Sequence, residues 1–253
     1  MKVGLALSGG GARGIAHLGV LKALQEREIK ISAISGTSAG SIIGAFFCAG
    51  YAPEEILKII TKTSFIRYLR PAISFTGLIK IEKLIPLLQK YLPEDSFDAL
   101  EIPLSIATTN INKGEIEYFE HGPLIRPILA SCCIPALFDP ISINGSHFVD
   151  GGILNNLPVQ PLEAKSDRII GSHCNPISKG FELTNIKALV ERSLLIAVSQ
   201  NTLESKKKCD LIIEPPELGW FLGSDLAKSE EMFTIGYEHT LTLIEKLNYF
   251  KQF

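Results

Sequence analysis

Ser38 lies between two glycines, in a pattern typical of a strand that turns sharply into a helix. Gly36 stands two positions before the serine and Gly40 two positions after it. The apolar run Ile29–Ile34 precedes this segment, and a second apolar run, Ser41–Ala49, follows it. Small residues on both sides of a serine allow a tight turn that projects the hydroxyl from the end of a sheet. The segment therefore predicts a serine nucleophile that attacks a carbonyl carbon, with the positive end of the next helix stabilising the charge that develops.

A glycine-rich loop, residues 9–14, follows the first predicted strand, Val3–Leu7, and opens the first predicted helix. Its backbone N–H groups can face one anionic point, and the candidate donors are Gly9, Gly10, Gly11, Arg13 and Gly14. One use of such a loop is dinucleotide binding, which calls for an acidic residue at the end of the next strand. The second strand ends at Ile34-Ser35-Gly36 without an acid, so we favour an oxyanion hole beside the serine. For the Arg13 side chain we expect a structural ion pair, with a phosphate head group as the alternative partner.

A base must take the proton of the serine, because a serine hydroxyl alone is a weak nucleophile. The chain order Ser38, Asp150, then His173 or His239, permits a catalytic triad. Hydrolases with such a triad normally place the serine turn after several strands, whereas here it follows only the second. We therefore do not favour a Ser–Asp–His triad as the arrangement that supplies the base.

Asp150 begins the sequence Asp-Gly-Gly directly after a predicted hairpin. Gly151 and Gly152 would let the chain turn tightly there, although the same sequence also suits an ordinary turn. An aspartate has a pKa of about 3.9 against about 6.5 for histidine, so it is the weaker base unless burial raises its pKa. The neighbours expected to provide apolar surroundings are Phe148, Val149, Ile153 and Leu154.

Three motifs, taken together, resemble those of the patatin-like phospholipase family. They are the glycine loop Gly9–Gly14, the serine motif Gly36–Gly40 and the aspartate motif Asp150–Gly152. The likeness extends over about residues 3–161, and the stretches Ala130–Phe138 and Asn155–Pro158 are similar to the family's sequence on either side of the aspartate.

The resemblance implies a three-layer α/β/α fold with a mainly parallel central sheet. It also implies a Ser–Asp dyad without histidine that cleaves acyl esters of lipids and needs no metal or organic cofactor. By position, Ser38 is then the nucleophile and Asp150 the base. The oxyanion donors are the backbone N–H groups around Gly10, Gly11 and Arg13.

Composition indicates one globular domain over residues 1–253, with a helical covering segment from about 216 to 253. The formal net charge of −2 gives no support for nucleic acid as a partner. The five cysteines form no C-x-x-C pair, which favours a reducing compartment over a disulfide framework or a zinc site. No apolar stretch approaches the ~20 residues of a membrane span. We therefore expect a cytoplasmic protein that contacts a membrane surface transiently.

Two apolar segments have alternative interpretations. Leu218–Gly223, which contains Trp220, clusters large apolar residues between glycines, and we favour burial in the core over a lipid-facing patch. Phe46 and Phe47 follow the serine turn and belong either to an acyl pocket or to a buried helix.

The motifs predict a serine acyl hydrolase of the lipase, phospholipase A or lysophospholipase type, acting through an acyl-Ser38 intermediate. Two alternatives remain open. One is an NAD(P)-binding oxidoreductase that uses the loop Gly9–Gly14 for its cofactor. The other is a non-catalytic protein of the same fold that binds a lipid or a protein partner.

Overall fold

A computed structural model describes residues 1–62 and 77–247. Its strands are β1 (Val3–Leu7), β2 (Ile31–Thr37), β3 (Gly77–Ile79), β4 (Leu104–Asn110), β5 (Glu115–Phe119), β6 (Ala136–Phe138), β7 (Ile141–Ile143), β8 (Ser146–Asp150), β9 (Arg168–Ser172) and β10 (Leu211–Ile213). Its α-helices are α1 (Ala16–Glu26), α2 (Ala39–Cys48), α3 (Pro53–Lys62), α4 (Ile85–Tyr91), α5 (Ile125–Ser131), α6 (Ile186–Asn201), α7 (Leu203–Lys207) and α8 (Ser229–Leu247).

The central sheet has the strand order β10-β9-β1-β2-β4-β8-β7 within the described residues, and β5 also pairs with β4. The strands from β10 to β4 run parallel to one another. The hairpins β4–β5 and β7–β8 and the pairing of β4 with β8 are antiparallel. The mainly parallel sheet flanked by helices confirms the predicted α/β fold class.

Alternate residues of β1 face the two sides of the sheet, as the pleat of a strand requires. Leu5 and Leu7 belong to the main hydrophobic core, whereas Ala6 belongs to a smaller core on the other side. Phe46 and Phe47 of α2 lie in the main core as well. The structure therefore supports the buried-helix interpretation of these two phenylalanines.

Prolines lie in the first turn of two helices. The apolar spacing of Ile81–Leu92 predicts a helix in which Pro86 marks a kink or a late start, and the structure has the late start, since a 3-10 turn covers Ile81–Leu84 and α4 begins at Ile85. The sequence also predicts a helix over Leu124–Cys133 that is interrupted near Pro127, but Pro127 lies in the first turn of α5 without interrupting it. Proline is tolerated at these positions because the first N–H groups of a helix have no partner inside it.

The C-terminal helix α8 packs closely against α1. A Cβ atom on Gly236 would collide with the backbone of Ala16, and one on Gly19 with the backbone of Phe233, so the two helices approach at glycine contacts. The expected covering segment begins with the 3-10 turn Pro216–Trp220, and its residues 248–253 lie outside the described residues.

The prediction of core burial for Leu218–Gly223 is wrong for half of its large side chains. Leu218 and Phe221 are buried, but Trp220 is 75% exposed and Leu222 is 49% exposed. Within the 3-10 turn Pro216–Trp220, Leu218 and Trp220 point to different sides because they are two positions apart in a helix of three residues per turn.

Candidate active site

Strand β4 brings Ser38 and Asp150 together across the sequence. Strand β2 runs parallel to β4 and ends at Thr37, opposite Ala107. Strand β8 runs antiparallel to β4 and ends at Asp150, opposite Thr108. The two strands thus end opposite consecutive positions of β4. This register places Ser38, which follows β2, close to Asp150 at the end of β8.

Ser38 forms the turn between β2 and α2 and has the strained backbone angles φ 51° and ψ −121°. A Cβ atom on Gly36 would lie 2.5 Å from the carbonyl oxygen of Gly40, so neither position has room for a larger residue. The side chain of Ser38 is partly exposed, whereas Thr37 before it is fully buried. The structure has the strand–turn–helix context that the serine motif predicts.

The end of α5 holds the main chain on both sides of the site. The Ser38 N–H donates to the Ser131 hydroxyl at 2.8 Å, and that hydroxyl donates to the Ala107 carbonyl at 2.7 Å. The Asp150 N–H donates to the Cys133 carbonyl at 2.9 Å. Residues 131–133 therefore fix the backbone of the serine relative to that of the aspartate.

Asp150 is only 8% exposed, and burial raises the pKa of its carboxyl group to about 6. Hydrogen bonds from the Gly152 N–H, at 2.8 Å, and from the Ser38 side chain oppose this rise. The apolar surroundings differ from the expectation in one respect. Phe148 and Val149 are buried as predicted, but Ile153 and Leu154 are exposed because the chain turns outward after the two glycines.

Ser38 and Asp150 open onto a cavity of about 330 Å³. The glycine loop contributes Gly10 and Gly11 to one wall. The apolar part of the lining consists of Ile134, Pro135, Leu137, Ile153, Leu194, Leu195 and Val198. The volume lies at the lower end of the range for ligand pockets, about 300–1,000 Å³.

The five candidate oxyanion donors differ in whether their backbone N–H groups already have an acceptor. The Gly9 N–H donates to the Asn156 carbonyl at 3.2 Å. Arg13 and Gly14 lie in the 3-10 turn Gly11–Ile15, whose pattern directs their N–H groups to carbonyls of the same turn. Among the described residues, the N–H groups of Gly10 and Gly11 have no hydrogen-bond acceptor, and both residues line the cavity.

Arg13 is buried beside this cavity, and it forms no ion pair within the described parts of the chain. The expected structural ion pair is therefore absent there. Burial lowers the pKa of the guanidinium group, and the charges of Glu191 and Asp225 act in the opposite direction. The side chain remains a candidate for contact with an anionic group of a ligand.

Helix α6 is tied to both halves of the site by residues that the sequence analysis did not single out. The Asn201 amide donates to the carbonyls of Gly152 at 2.8 Å and Ile153 at 3.1 Å, and it accepts from the Asn156 N–H at 3.0 Å. No local sequence pattern indicates these contacts, because they join residues more than forty positions apart.

A second set of bonds connects the same helix to the glycine loop. Glu191 accepts a hydrogen bond of 2.9 Å from the Gly223 N–H, and the Gly223 carbonyl accepts one of 2.8 Å from the Ala12 N–H. The position of α6 is thus coupled to the loop that carries the free N–H groups.

Histidine does not line the cavity in the described part of the protein. His173 lies elsewhere, with its Nδ1 atom 2.9 Å from Glu214. His17 is fully buried and links the Ser172 hydroxyl to the Ser8 carbonyl, at 2.7 and 2.9 Å. The geometry therefore gives no support to a triad that includes His173 or His239.

A family model described as patatin-like phospholipase matches residues 5–163. The chain belongs to this family. A protein of Mycobacterium tuberculosis named an uncharacterized NTE family protein is 37% identical over 163 residues, which cover 64% of this chain and 45% of the relative. Lysophospholipase NTE1 of Candida glabrata is 30% identical over 281 residues, covering 97% of this chain and 16% of the relative. The chain thus spans less than half the length of these patatin-like relatives.

Among solved structures, VipD from Legionella pneumophila superposes on 97% of this chain and 67% of its own, with a TM-score of 0.58 and 17% identity. The fold that the two proteins share therefore extends beyond the region of the family match. No described helix is both long and apolar enough to cross a membrane. The described residues also contain no group of three or more potential metal ligands.

Proposed function

We propose that this patatin-like protein hydrolyses carboxylic esters of lipids through an acyl-enzyme intermediate on Ser38, with Asp150 as the base. The observation that carries the proposal is that β2 and β8 end on consecutive positions of β4 and that the Ser38 side chain donates a hydrogen bond to Asp150. Gly10 and Gly11, whose backbone N–H groups have no acceptor among the described residues, line the same cavity. Membership of the family and the similarity to proteins named lysophospholipase support the same activity.

In the first step Asp150 takes the hydroxyl proton of Ser38, and Oγ attacks the ester carbonyl carbon. The N–H groups of Gly10 and Gly11 donate to the oxygen that becomes negative. The tetrahedral intermediate then collapses, the proton on Asp150 passes to the leaving alcohol, and the acyl group remains on Ser38. Water deprotonated by Asp150 attacks this ester, which releases the fatty acid and restores the hydroxyl.

The raised pKa of Asp150, about 6, suits this role. A base works best when its pKa lies near the operating pH, because it must be ionised at rest and still hold a proton in the transition state. At pH 7 the carboxyl group is mostly ionised. Burial thus removes most of the disadvantage that an aspartate has relative to histidine.

The cavity favours a substrate with one acyl chain, such as a lysophospholipid. A volume of about 330 Å³ with an apolar lining is small for two chains. Arg13 lies at the cavity without an ion pair in the described residues, so it is available to a phosphate in the head group. These features support a lysophospholipase over a triacylglycerol lipase.

Hydrolysis assays with p-nitrophenyl butyrate and lysophosphatidylcholine test the proposal. Ser38→Ala and Asp150→Asn should each reduce kcat/KM at least a hundredfold on both substrates. Two exposed residues outside the cavity provide matched controls, Ser142→Ala and Asp98→Asn, which should retain full activity. Activity of the Ser38→Ala variant at the level of the unmodified protein would refute the mechanism.

A further inference from the structure

Helix α6 presents apolar side chains to solvent. Ile186 is 81% exposed, and the other members of this group are Leu189, Val190, Leu194 and Ile196, all exposed. No described side chain of the helix is fully buried. A surface helix of a globular protein normally turns its apolar stripe to the core and its charged residues to water. We call these five residues the apolar face of α6.

Three polar residues of α6 bond to other parts of the protein. Glu191 accepts from the Gly223 N–H, and Arg192 donates to the Ser178 carbonyl at 2.8 Å. Asn201 anchors the end of the helix to the turn after Asp150. Hydrogen bonds thus hold the helix in place while its apolar face is left exposed by the described residues.

The apolar face continues into the cavity. Leu194 is exposed and also lines the cavity, and the same is true of Leu137 and Ile153. Trp220 and Leu222 are exposed as well, and Gly223, which follows them in the chain, lines the cavity. The mouth of the proposed active site is therefore bordered by apolar side chains that reach the surface.

We propose that the apolar face of α6, together with Trp220 and Leu222, docks on the surface of a phospholipid bilayer and places the cavity mouth against it. This inference rests on the proposed function, since it names where the acyl ester enters. Exposed apolar patches of this kind mark interaction sites. A second copy of the chain seated here would close the opening through which the substrate must pass.

The charges around this surface indicate which bilayer it fits. Among the described side chains of residues 177–200, two are basic, Lys179 and Arg192, and two are acidic, Glu182 and Glu191. Because the positive and negative charges are nearly balanced, this surface should be attracted to an anionic membrane little more than to a neutral one. Contact should therefore depend mainly on apolar burial, and zwitterionic phosphatidylcholine should suffice.

The chain provides its own reporter, because Trp220 is its single tryptophan and is 75% exposed. In the Ser38→Ala background, which prevents hydrolysis, phosphatidylcholine vesicles should shift the tryptophan emission to shorter wavelength. Phosphatidylcholine brominated on its acyl chains should quench it. Emission that does not change at saturating vesicle concentrations would overturn the proposal.

The double substitution Leu189→Glu with Val190→Glu tests the face without altering the cavity lining. It should weaken vesicle binding at least tenfold. Ile111→Glu, an exposed apolar residue in the turn between β4 and β5, should leave binding unchanged. Unchanged vesicle affinity of the double variant would overturn the proposal.

Two further measurements separate the possible causes. With Ser38 intact, the double variant should hydrolyse p-nitrophenyl butyrate at the normal rate, which also shows that it is folded. If the unsubstituted protein fails to hydrolyse this ester, the proposed function fails, whereas vesicle binding is judged independently. If light scattering shows a dimer that the double substitution dissociates, a second copy occupies the face and the bilayer proposal is wrong.

Discussion

Asp150 is buried and accepts few hydrogen bonds that would stabilise its charged form. This environment sets the pKa of its carboxyl group. Its carboxyl group accepts from the Gly152 N–H and from Ser38, yet burial still raises its pKa to about 6. A group whose charged form is disfavoured in the folded state destabilises that state once it ionises. The same residue that serves as the proposed base should therefore reduce the stability of the protein.

Asp150→Asn should accordingly stabilise the fold at pH 8. The pKa of Asp150 is higher in the folded state than in the unfolded chain, so its favourable contribution is complete below about pH 4 and is lost as the pH rises through 6. An asparagine cannot ionise, so the substitution avoids this loss of stability, and its side-chain oxygen can still accept the hydrogen bond from the Gly152 N–H. The expected gain is about 1–3 kcal/mol at pH 8, or several degrees in Tm.

Thermal unfolding of both proteins at pH 4 and pH 8 measures this gain. The two Tm values should converge at pH 4, where the carboxyl group is protonated. A variant that is less stable than the original at pH 8 would show that the burial of Asp150 is offset by contacts of its charged form.

The elements of the fold differ in how far the sequence predicts them. Strand β1 was predicted as Val3–Leu7 and has these bounds, because a short apolar run between polar residues is typical of a buried strand. Strand β2 was predicted over Ile29–Ile34 but spans Ile31–Thr37. Its last residues, Ser35-Gly36-Thr37, lack an apolar pattern, and pairing with β1 and β4 makes them part of the strand.

The motifs of the site can be recognised in short stretches of the sequence, whereas the residues that hold these motifs in place cannot. At Gly36 and Gly151 another backbone segment lies too close for a Cβ atom, so glycine is required there and can be recognised in the sequence. Ser131, Glu191 and Asn201 are ordinary helical residues, and their importance comes from bonds to distant segments. Only the register of the sheet and the packing of α5 and α6 reveal them.

Asn201→Ala should impair catalysis by loosening the turn after Asp150. Its amide holds the carbonyls of Gly152 and Ile153, and the Gly152 N–H lowers the pKa of Asp150. Without this support we expect kcat to fall about tenfold to a hundredfold, and the acidic midpoint of the pH–rate profile to move upward.

Rates with p-nitrophenyl butyrate between pH 4 and pH 9 test this expectation. Gln200→Ala, at the neighbouring exposed position of α6, provides the control and should behave as the original protein. A loss of rate with an unchanged midpoint would mean that Asn201 supports the fold without setting the pKa of the base.

For the molecule as a whole, a buried histidine links the glycine loop to the sheet. His17 of α1 bonds to Ser8, just before the loop, and to Ser172 at the end of β9. Burial lowers its pKa to about 4. The folded state thus binds the proton more weakly than the unfolded chain, in which histidine has a pKa near 6.5.

Stability should therefore fall as the pH drops from about 6.5 to 4. The contribution of His17 is complete above the unfolded pKa and is lost through this window, with an expected size of about 2–3 kcal/mol. Asp150 acts with the opposite sign between pH 6 and 4, so the effect is best isolated as a difference between variants.

Urea unfolding of the protein and of His17→Gln at pH 7 and pH 4.5 provides that difference. The variant should be less stable at pH 7, because it loses the two buried bonds, and should lose less stability on acidification. An equal loss in both proteins would contradict the account of His17.

The central claim is that Ser38 is a nucleophile activated by Asp150. Labelling with a fluorophosphonate probe, followed by peptide mass spectrometry, tests it most directly because it requires no knowledge of the natural substrate. We predict a single adduct on Ser38, no adduct in Ser38→Ala, and at least a hundredfold slower labelling in Asp150→Asn. The labelling rate of the unsubstituted protein should rise with pH to a plateau, with a midpoint near 6. An adduct on another residue, or undiminished labelling of Asp150→Asn, would contradict the claim.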